Sequence, residues 1–500
     1  MAKKKQQSLP KEVDVLIVGG GLAGLSCAVG LCGQGLRVAV LEKASILGGR
    51  ASSWKESHSG DDIHLGPHIL LSAYPNMLSF LKKLGTDQDI MWLGKRFMHL
   101  VDGQESYEIS ISNLPPPLHF LPSMLSDPLL SKRDLLIHAR VTWLVMQLGE
   151  EEFLGLDELN AAAFLRGMGV SSLMLERFWS FVCMSILNVP LELCSAAALL
   201  RFYKKLAGNN STVIGLPTKG LGDLFAPQAK DMIEKDGGHV FLKTGVKSFL
   251  GRGRKVEGVE LENGEEIRSK YVISTLPPHH LRHLSRKSWL EREPFSELVH
   301  FEPCPYISPY LWFDRKLTDL KFWARVHSAN DLNCDFYDLS NIYPKGTLNN
   351  SLLTSNIIYC HRAKELSDED IVAETLEEIA DFLPEVRNAA LVHSVVNRID
   401  MAIHCPFPGT EQKRPDYDAG LEGFFLAGDW IKTGLPACME SAVQSGFMVA
   451  QEVLQRQGRR VDLVEESSDI QGFARLVDKV AQQVPGRRLP RWLRPIAGRR

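Results

Sequence analysis

Residues 14–27, DVLIVGGGLAGLSC, dictate more of the fold than any other stretch. An apolar run, Val13 to Val18, enters three consecutive glycines and leaves into small and apolar residues, Leu22 to Leu31. That order predicts a buried strand, a tight turn and a helix, with Gly33 and Gly35 stopping the helix. LRVAVLE, residues 36–42, reads as a second buried strand. Strand, helix and strand in this order make a parallel pair with a right-handed crossover. Gly19, Gly21 and Gly24 match GxGxxG. Gly19 permits the turn, Gly21 lets a pyrophosphate approach the backbone, and Gly24 lets the helix lie close on the strand. The helix N-terminus, at Leu22 and Ala23, offers amides to phosphate oxygens. Glu42 follows Gly19 by 23 residues and ends the second strand, where its carboxylate can accept hydrogen bonds from a ribose. This much permits either NAD or FAD.

The rest of the chain bounds the answer. Its 500 residues exceed one small core, so two or three intertwined subdomains are expected. A net charge of −3 argues against a general nucleic-acid binder. The nine cysteines are scattered without a CxxC pair, so neither a disulfide framework nor a metal site is expected, and a reducing cytoplasm fits. The basic start, MAKKKQQSLPKEV, leads into no signal-type apolar stretch. Nowhere does an apolar run reach the roughly 18 residues of a membrane span. From about 115 to 205 the pattern is helical and strongly apolar, as an inserted region would be. Residues 246–275 read as a meander with Gly and Asn-Gly turns, DIVAETLEEIADFL as an amphipathic helix, and FFLAGDW as a buried strand ending in a Gly-Asp turn.

LEKASILGGRASS sets Gly48, Gly49 and Arg50 just past Glu42, and FFLAGDWIKTGLPACMESAVQSGFMVAQEVL sets Gly428 and Asp429 before a helix. Two such signatures, in this order at opposite ends, resemble the flavin amine-oxidase and phytoene-desaturase superfamily. The resemblance implies FAD held by both ends of the chain. It also implies an α/β, glutathione-reductase-like Rossmann domain interleaved with a mixed α+β, partly helical substrate domain. It places Arg50 near the pyrophosphate and Asp429 near the ribityl-pyrophosphate. Val246 would meet the adenine through its backbone, and Leu435 to Met439, with Pro436 and Ala437, would pass the flavin ring. VISTLPP, 272–278, matches the family's strand closing the FAD domain. The segments then read as 10–110, 211–300 and 406–456 for FAD, 111–210 and 301–405 for substrate, and 457–500 for a tail.

HLGPHILLSAYPNMLSFLKKLG, NLPPPLHFLPSML, NVPLELCSAAALLRFYKKLAG and GLPTKGLGDLF, with GDWIKTGLPA, are most similar to hydroxysqualene dehydroxylases of hopanoid and triterpene synthesis. The implied reaction turns hydroxysqualene into squalene with a hydride from reduced flavin and a proton for the departing hydroxyl. The alternative is a carotenoid desaturase of the phytoene or diapophytoene type; an amine oxidase and a non-catalytic flavoprotein partner are weaker ones. Candidates for the proton donor are His68 first, by the family's G-x-H beside the flavin, then His64, Tyr74 and Glu440. His64 itself departs from the pattern, since relatives usually carry an acid there. Each has a plain structural reading beside the catalytic one: a histidine bonded to backbone, a tyrosine at a Pro75 turn, a glutamate serving a helix N-terminus. Trp430 reads as a flavin neighbour or as core. Phe178, Trp179, Met184, Ile186 and Leu187 read as a lipid tunnel or as core.

The resemblance ends near 455. Ile470, Phe473, Val477, Val480 and Val484 recur at three- and four-residue steps, one apolar helical stripe. PGRRLPRWLRPIAGRR adds six arginines and no acid, with Leu489, Trp492 and Ile496 between them. Such interleaving suits an anionic lipid surface. The expected location is the cytoplasm, peripherally on the inner face of the membrane; a disordered tail or a docking segment for a squalene-forming enzyme are the other readings.

Overall fold

The computed structural model describes residues 9–482, apart from positions 128, 327, 329 and 467–469. Along the chain, β1 (Glu12–Val18), α1 (Leu22–Leu31) and β2 (Val38–Leu41) form the opening unit. Next come α2 (Pro75–Leu84) and the hairpin β3 (Arg96–Asp102) and β4 (Glu105–Ser110). A helical stretch follows, with α3 (Lys132–Gln147) and α4 (Ala196–Ala207) its longest members. Then come β5 (His239–Phe241), β6 (Val246–Arg252), β7 (Lys255–Leu261) and β8 (Glu266–Ser274). The chain continues through β9 (Pro303–Phe313), β10 (Phe322–Arg325), β11 (Asp335–Asp338), β12 (Leu352–Ile358), α5 (Asp368–Phe382) and β13 (Leu391–His404). It ends with β14 (Phe424–Leu426), α6 (Met439–Arg456) and α7 (Gly472–Gln482).

Two seven-stranded sheets organise these elements. The first has the order β5-β2-β1-β8-β7-β6, with β14 also on β8. Strands β5, β2, β1, β8 and β14 are parallel, and β6, β7 and β8 form an antiparallel meander. Strand β8 carries nine residues because, opposite β1, it serves two further neighbours: Glu266 to Arg268 pair with β7, and Val272 to Ser274 pair with β14. Residues 15–18 of β1 are buried on both faces, as a central parallel strand requires. The second sheet has the order β13-β9-β12-β11-β10-β3-β4. Here the segment 10–110 needs a correction: β3 and β4 pair into this second sheet, β3 running parallel to β10 through Leu100 and Val101. An alternating strand is legible locally, but its neighbour is chosen by contacts more than 200 residues away.

The helical region packs on the second sheet in one core that includes Trp179, Leu187, Tyr310, Trp312 and Tyr337. Trp179 and Leu187 are thus core, with Phe178 and Ile186 packed against them. Met184 joins the helices to the sheet through Tyr306 and Ile358. No tunnel is needed to explain the apolar density of this stretch.

The stripe expected around 470–484 is divided. Ala474 and Val477 face inward, and Lys204 of α4 bonds Asp478 at 2.6 Å, fastening α7 to the helical region. Phe473 and Val480, expected on the same face, are exposed, as is Leu476. Val484, Leu489, Trp492 and Ile496 lie outside the described residues.

The two ends of the chain meet where α6 crosses α1. A side-chain carbon at Gly446 would stand 2.2 Å from Ser26 Oγ and 2.4 Å from the Ala23 carbonyl oxygen. Ser26 donates back to the Val443 carbonyl at 3.3 Å. The helices therefore touch backbone to backbone, and neither can yield. Gly446→Val is expected to cost about 1–3 kcal/mol or more, read as a melting temperature lower by several degrees; an unchanged melting curve would show that this contact is not tight.

Candidate functional site

The three glycines of the turn have different reasons to be glycine. Gly19 has φ +114°, and a side-chain carbon there would stand 2.4 Å from Thr275 Oγ1. One at Gly24 would stand 2.0 Å from the Gly19 carbonyl oxygen. Both are demanded by the chain's own packing. Gly21 is not: its backbone is extended, and an added carbon would find its nearest neighbours, Gly48 O and Gly49 Cα, 3.9 Å away. The space above Gly21 lies at the N-terminus of α1, where Leu22 and Ala23 begin a helix without a side-chain cap. Open space over uncapped amides fits a pyrophosphate.

The flanking segments enclose that space. Gly48 N donates to Gly20 O at 2.9 Å, laying the Gly48-Gly49-Arg50 turn along the glycine loop. Arg50 grips Asp429 with two hydrogen bonds of 2.7 and 3.0 Å and donates a third, of 2.8 Å, to Ala402 O. Burial pushes the Asp429 carboxyl up, but Arg50 more than offsets it, so Asp429 stays ionised below its ordinary value. Glu42 accepts from Gly20 N and Ala44 N, both at 2.7 Å, and each of its oxygens keeps a lone pair for a ribose hydroxyl. Thr244 N donates to Glu42 O at 2.8 Å, which delivers Val246, the first residue of β6, beside that carboxylate.

The loop from Gly428 to Met439 hangs on a residue that no motif announced. Buried Arg414 donates to the carbonyls of Asp429, Trp430, Ile431 and Leu435 at 2.6–3.2 Å. Glu411, buried between Arg414 and Arg201, completes the chain of charges. Burial raises the Glu411 carboxyl and the two guanidinium groups bring it below its ordinary value. This holds Pro436, Ala437 and Met439 at the entry of α6. Trp430 is fully buried and donates to Leu276 O at 3.1 Å, so the core reading holds for it.

The Gly66-Pro67-His68 segment rests on the second sheet across a row of polar side chains, one from each of four adjacent strands. They are Asp335 (β11), Asn356 (β12), Ser308 (β9) and Asn397 (β13). Asn397 donates to the carbonyls of His64 and Leu65 at 2.9 and 3.1 Å, and Asn356 to Pro67 O at 3.4 Å. A side chain at Gly66 would press on Ser308 Oγ at 3.1 Å. Sequence reasoning missed this row because its members lie in four separate strands.

His68 Nδ1 lies 2.7 Å from Gly66 O. A carbonyl only accepts, so Nδ1 carries the proton. Burial holds the imidazole below its ordinary pKa, hence neutral, and Nε2 is left as an acceptor. The expectation of a proton-donating His68 is therefore corrected at the ring: the backbone-bonded reading is the one observed, and Nε2 carries no proton to give. His64 is structural. Its Nδ1 accepts from Leu221 N, its Nε2 meets Tyr343 Oη at 2.9 Å, and burial lowers it to about 3. Glu440 is also structural. Both its oxygens accept from Asn76 and Met77 at 2.7–3.0 Å, so it serves the N-terminus of α2 rather than a substrate. Tyr74, the residue before Pro75, packs between two cores, and burial pushes its hydroxyl well above its ordinary value, which makes it a poor acid. Asp335 stands apart: burial raises it to about 7, Tyr337 Oη donates to Oδ2 at 3.1 Å, and Oδ1 accepts no hydrogen bond among the described residues.

Comparison with known proteins agrees with this geometry. Residues 22–454 match the family described as flavin containing amine oxidoreductase. The 15-cis-phytoene desaturase of Synechococcus elongatus is 26% identical over 462 residues, covering 89% of this chain and 96% of that one. The 15-cis-phytoene desaturase of Solanum lycopersicum is 27% identical, covering 89% and 78%. Among solved structures, a putrescine oxidase variant superposes with a TM-score of 0.70 at 16% identity, over 89% of this chain and 99% of that one. Because an added carbon at Gly21 meets nothing nearer than 3.9 Å, Gly21→Val is expected to give folded, colourless protein that melts with the flavin-free wild type and below the flavin-loaded enzyme. Retention of a full flavin spectrum would refute the assignment of the cradle. The chain belongs to the flavin containing amine oxidoreductase family, as an FAD-dependent oxidoreductase.

Proposed function

We propose that this enzyme desaturates a linear polyprenyl hydrocarbon of the phytoene class. The observation that carries the reading is the similarity to 15-cis-phytoene desaturases, which runs the length of both chains. The site chemistry supports the same direction. Bound FAD supplies an acceptor for a hydride equivalent. The protein's own share is to orient an apolar chain, keep water out, and hold the second hydrogen as a proton. Neutral His68, with its Nδ1 proton committed to Gly66 O, offers Nε2 to a proton leaving the neighbouring carbon. Beside the polar row, Tyr306, Met184 and Ile358 pack with Ile399 and Ala402 into an apolar cluster that keeps water from that side.

Reductive dehydroxylation of hydroxysqualene needs the opposite: a group that gives a proton to the leaving hydroxyl. One observation favours it as a second reading, the buried Asp335 carboxyl that is partly protonated near neutrality. The two are separated by incubating flavin-loaded protein with phytoene plus a quinone and, anaerobically with reductant, with hydroxysqualene. Conjugated polyene from phytoene is expected; squalene alone would overturn the desaturase reading.

His68 must be neutral to accept, and its folded pKa lies below the ordinary histidine value. Turnover is therefore expected to persist at pH 6.5 and to fall as acidity protonates Nε2. His68→Gln should keep its flavin and lose about 10²–10⁴-fold in kcat, together with that acidic limb. Wild-type turnover in this variant would remove His68 from the reaction.

A further inference from the structure

We propose that the face built by α3, residues 114–129 and the outer side of α7 docks on an anionic lipid bilayer. Among the described residues, ten of the fifteen exposed large apolar side chains fall in just two segments, 114–143 and 473–480. The two segments are one surface. Trp143 of α3 and Phe473 of α7 have ring centroids 6.3 Å apart. Ala474 N donates to Pro116 O at 2.8 Å, and Gly472 abuts Pro115 and Pro116. Leu118, Leu121 and Leu125 extend the apolar area beyond that junction. A contiguous apolar surface of this kind marks an interaction site.

Nothing about the anchoring of α7 requires these side chains to point outward. Its inner side is fully engaged through Ala474, Val477 and the Asp478–Lys204 pair. Phe473, Leu476 and Val480 form a second apolar side, 47–61% exposed. Apolar area left in water is unfavourable in proportion to its extent, and an occupant of the face would cover it.

The charges select the occupant. On α3 and α7 the exposed charged residues are Lys132, Arg133, Arg140, Arg475 and Lys479, all basic. The acids of this face are half-buried and engaged: Asp134 caps the start of α3 through Ser131 and accepts from Ser171, Asp478 meets Lys204, and Asp127 accepts from Leu129 N. The chain as a whole is slightly acidic, so this sorting is local. A second copy docked on the same face would set basic residues against basic residues. Folding the arginine-rich 483–500 segment back over it would do the same. An anionic bilayer meets both demands: its interface takes Trp, Phe and Leu, and its head groups attract Lys and Arg. The segment that follows α7, with six arginines interleaved with Trp and Leu, continues the same chemistry. No described helix is long and apolar enough to cross a membrane, so the contact proposed is with one surface. It does not depend on which lipid is the substrate.

The test is flotation of the flavin-loaded full-length protein with vesicles of phosphatidylcholine plus phosphatidylglycerol, against phosphatidylcholine alone. Flotation with the anionic vesicles, weakened by salt, is expected. Trp143→Ser combined with Phe473→Ser and Leu476→Ser should weaken binding at least about tenfold with flavin absorbance and melting temperature unchanged. Arg140→Glu with Lys479→Glu should reduce the preference for the anionic vesicles. The apolar triple change should also weaken whatever binding remains after deletion of 483–500. A wild-type protein that does not float, a triple variant that floats like wild type, or loss of all flotation on deleting 483–500 would each overturn the proposal. So would a wild-type dimer that the triple change dissociates while vesicle binding is unaffected.

Discussion

The contact between α1 and α6 is the constraint on which the rest of the molecule depends. Helix α1 begins at the glycine turn, and α6 begins where the Gly428-Asp429 loop ends. With Gly446 set against Ser26 and the Ala23 carbonyl, the two helices cannot slide or separate without losing a backbone-to-backbone contact. Their N-termini are consequently fixed on the same side of the sheet. β14 pairs with β8, and β8 with β1, so the strands that feed these helices are fixed as well. More than four hundred residues are strung between two halves of one binding site, and the nucleotide cradle is where the chain closes on itself.

Two buried polar systems transmit that closure to the second sheet, and they differ in kind. Arg414 ties the Asp429–Leu435 carbonyls to Glu411 and, through it, to Arg201 of α4. A buried charge chain of this sort is weak evidence for stability but stringent about geometry, because removing one member leaves another uncompensated. The row Asp335, Asn356, Ser308 and Asn397 instead uses neutral amides and a hydroxyl, ending in a carboxyl that burial holds near neutrality. The Gly66–His68 segment lies between the two systems, joined to one through Asn356 and Asn397 and near the other through Arg50 and Asp429. Its histidine is thus kept neutral and its ring orientation fixed by the adjoining carbonyl.

Much of the cradle was legible because its demands are local. A turn that admits a phosphate needs Gly19, Gly21 and Gly24 at fixed offsets, and a ribose acceptor needs an acid at the end of the next strand, so Glu42 could be named from spacing. Gly48 to Arg50 and Gly428-Asp429 followed from the resemblance, and the structure brings them within hydrogen-bonding distance across 379 residues. The roles of the candidate acids were not legible. Glu440 and His64 have the same chemistry whether they serve a substrate or a backbone, and only their neighbours, Asn76 and Met77 in one case and Leu221 and Tyr343 in the other, distinguish the two.

By itself the sequence determined the elements with short-range periodicity and the residues whose chemistry is tied to a turn: β1, α1, β2 and the glycine motif between them. The tertiary structure alone decided which strands became neighbours, sending β3 and β4 to the second sheet, because pairing is set by burial over hundreds of residues. It decided that the apolar residues of α7 lie on two sides rather than one, because Asp478 had to reach Lys204. And it decided that the His68 Nδ1 proton is committed to Gly66 O, because a tautomer is set by the nearest carbonyl, which has no signature in a string of letters.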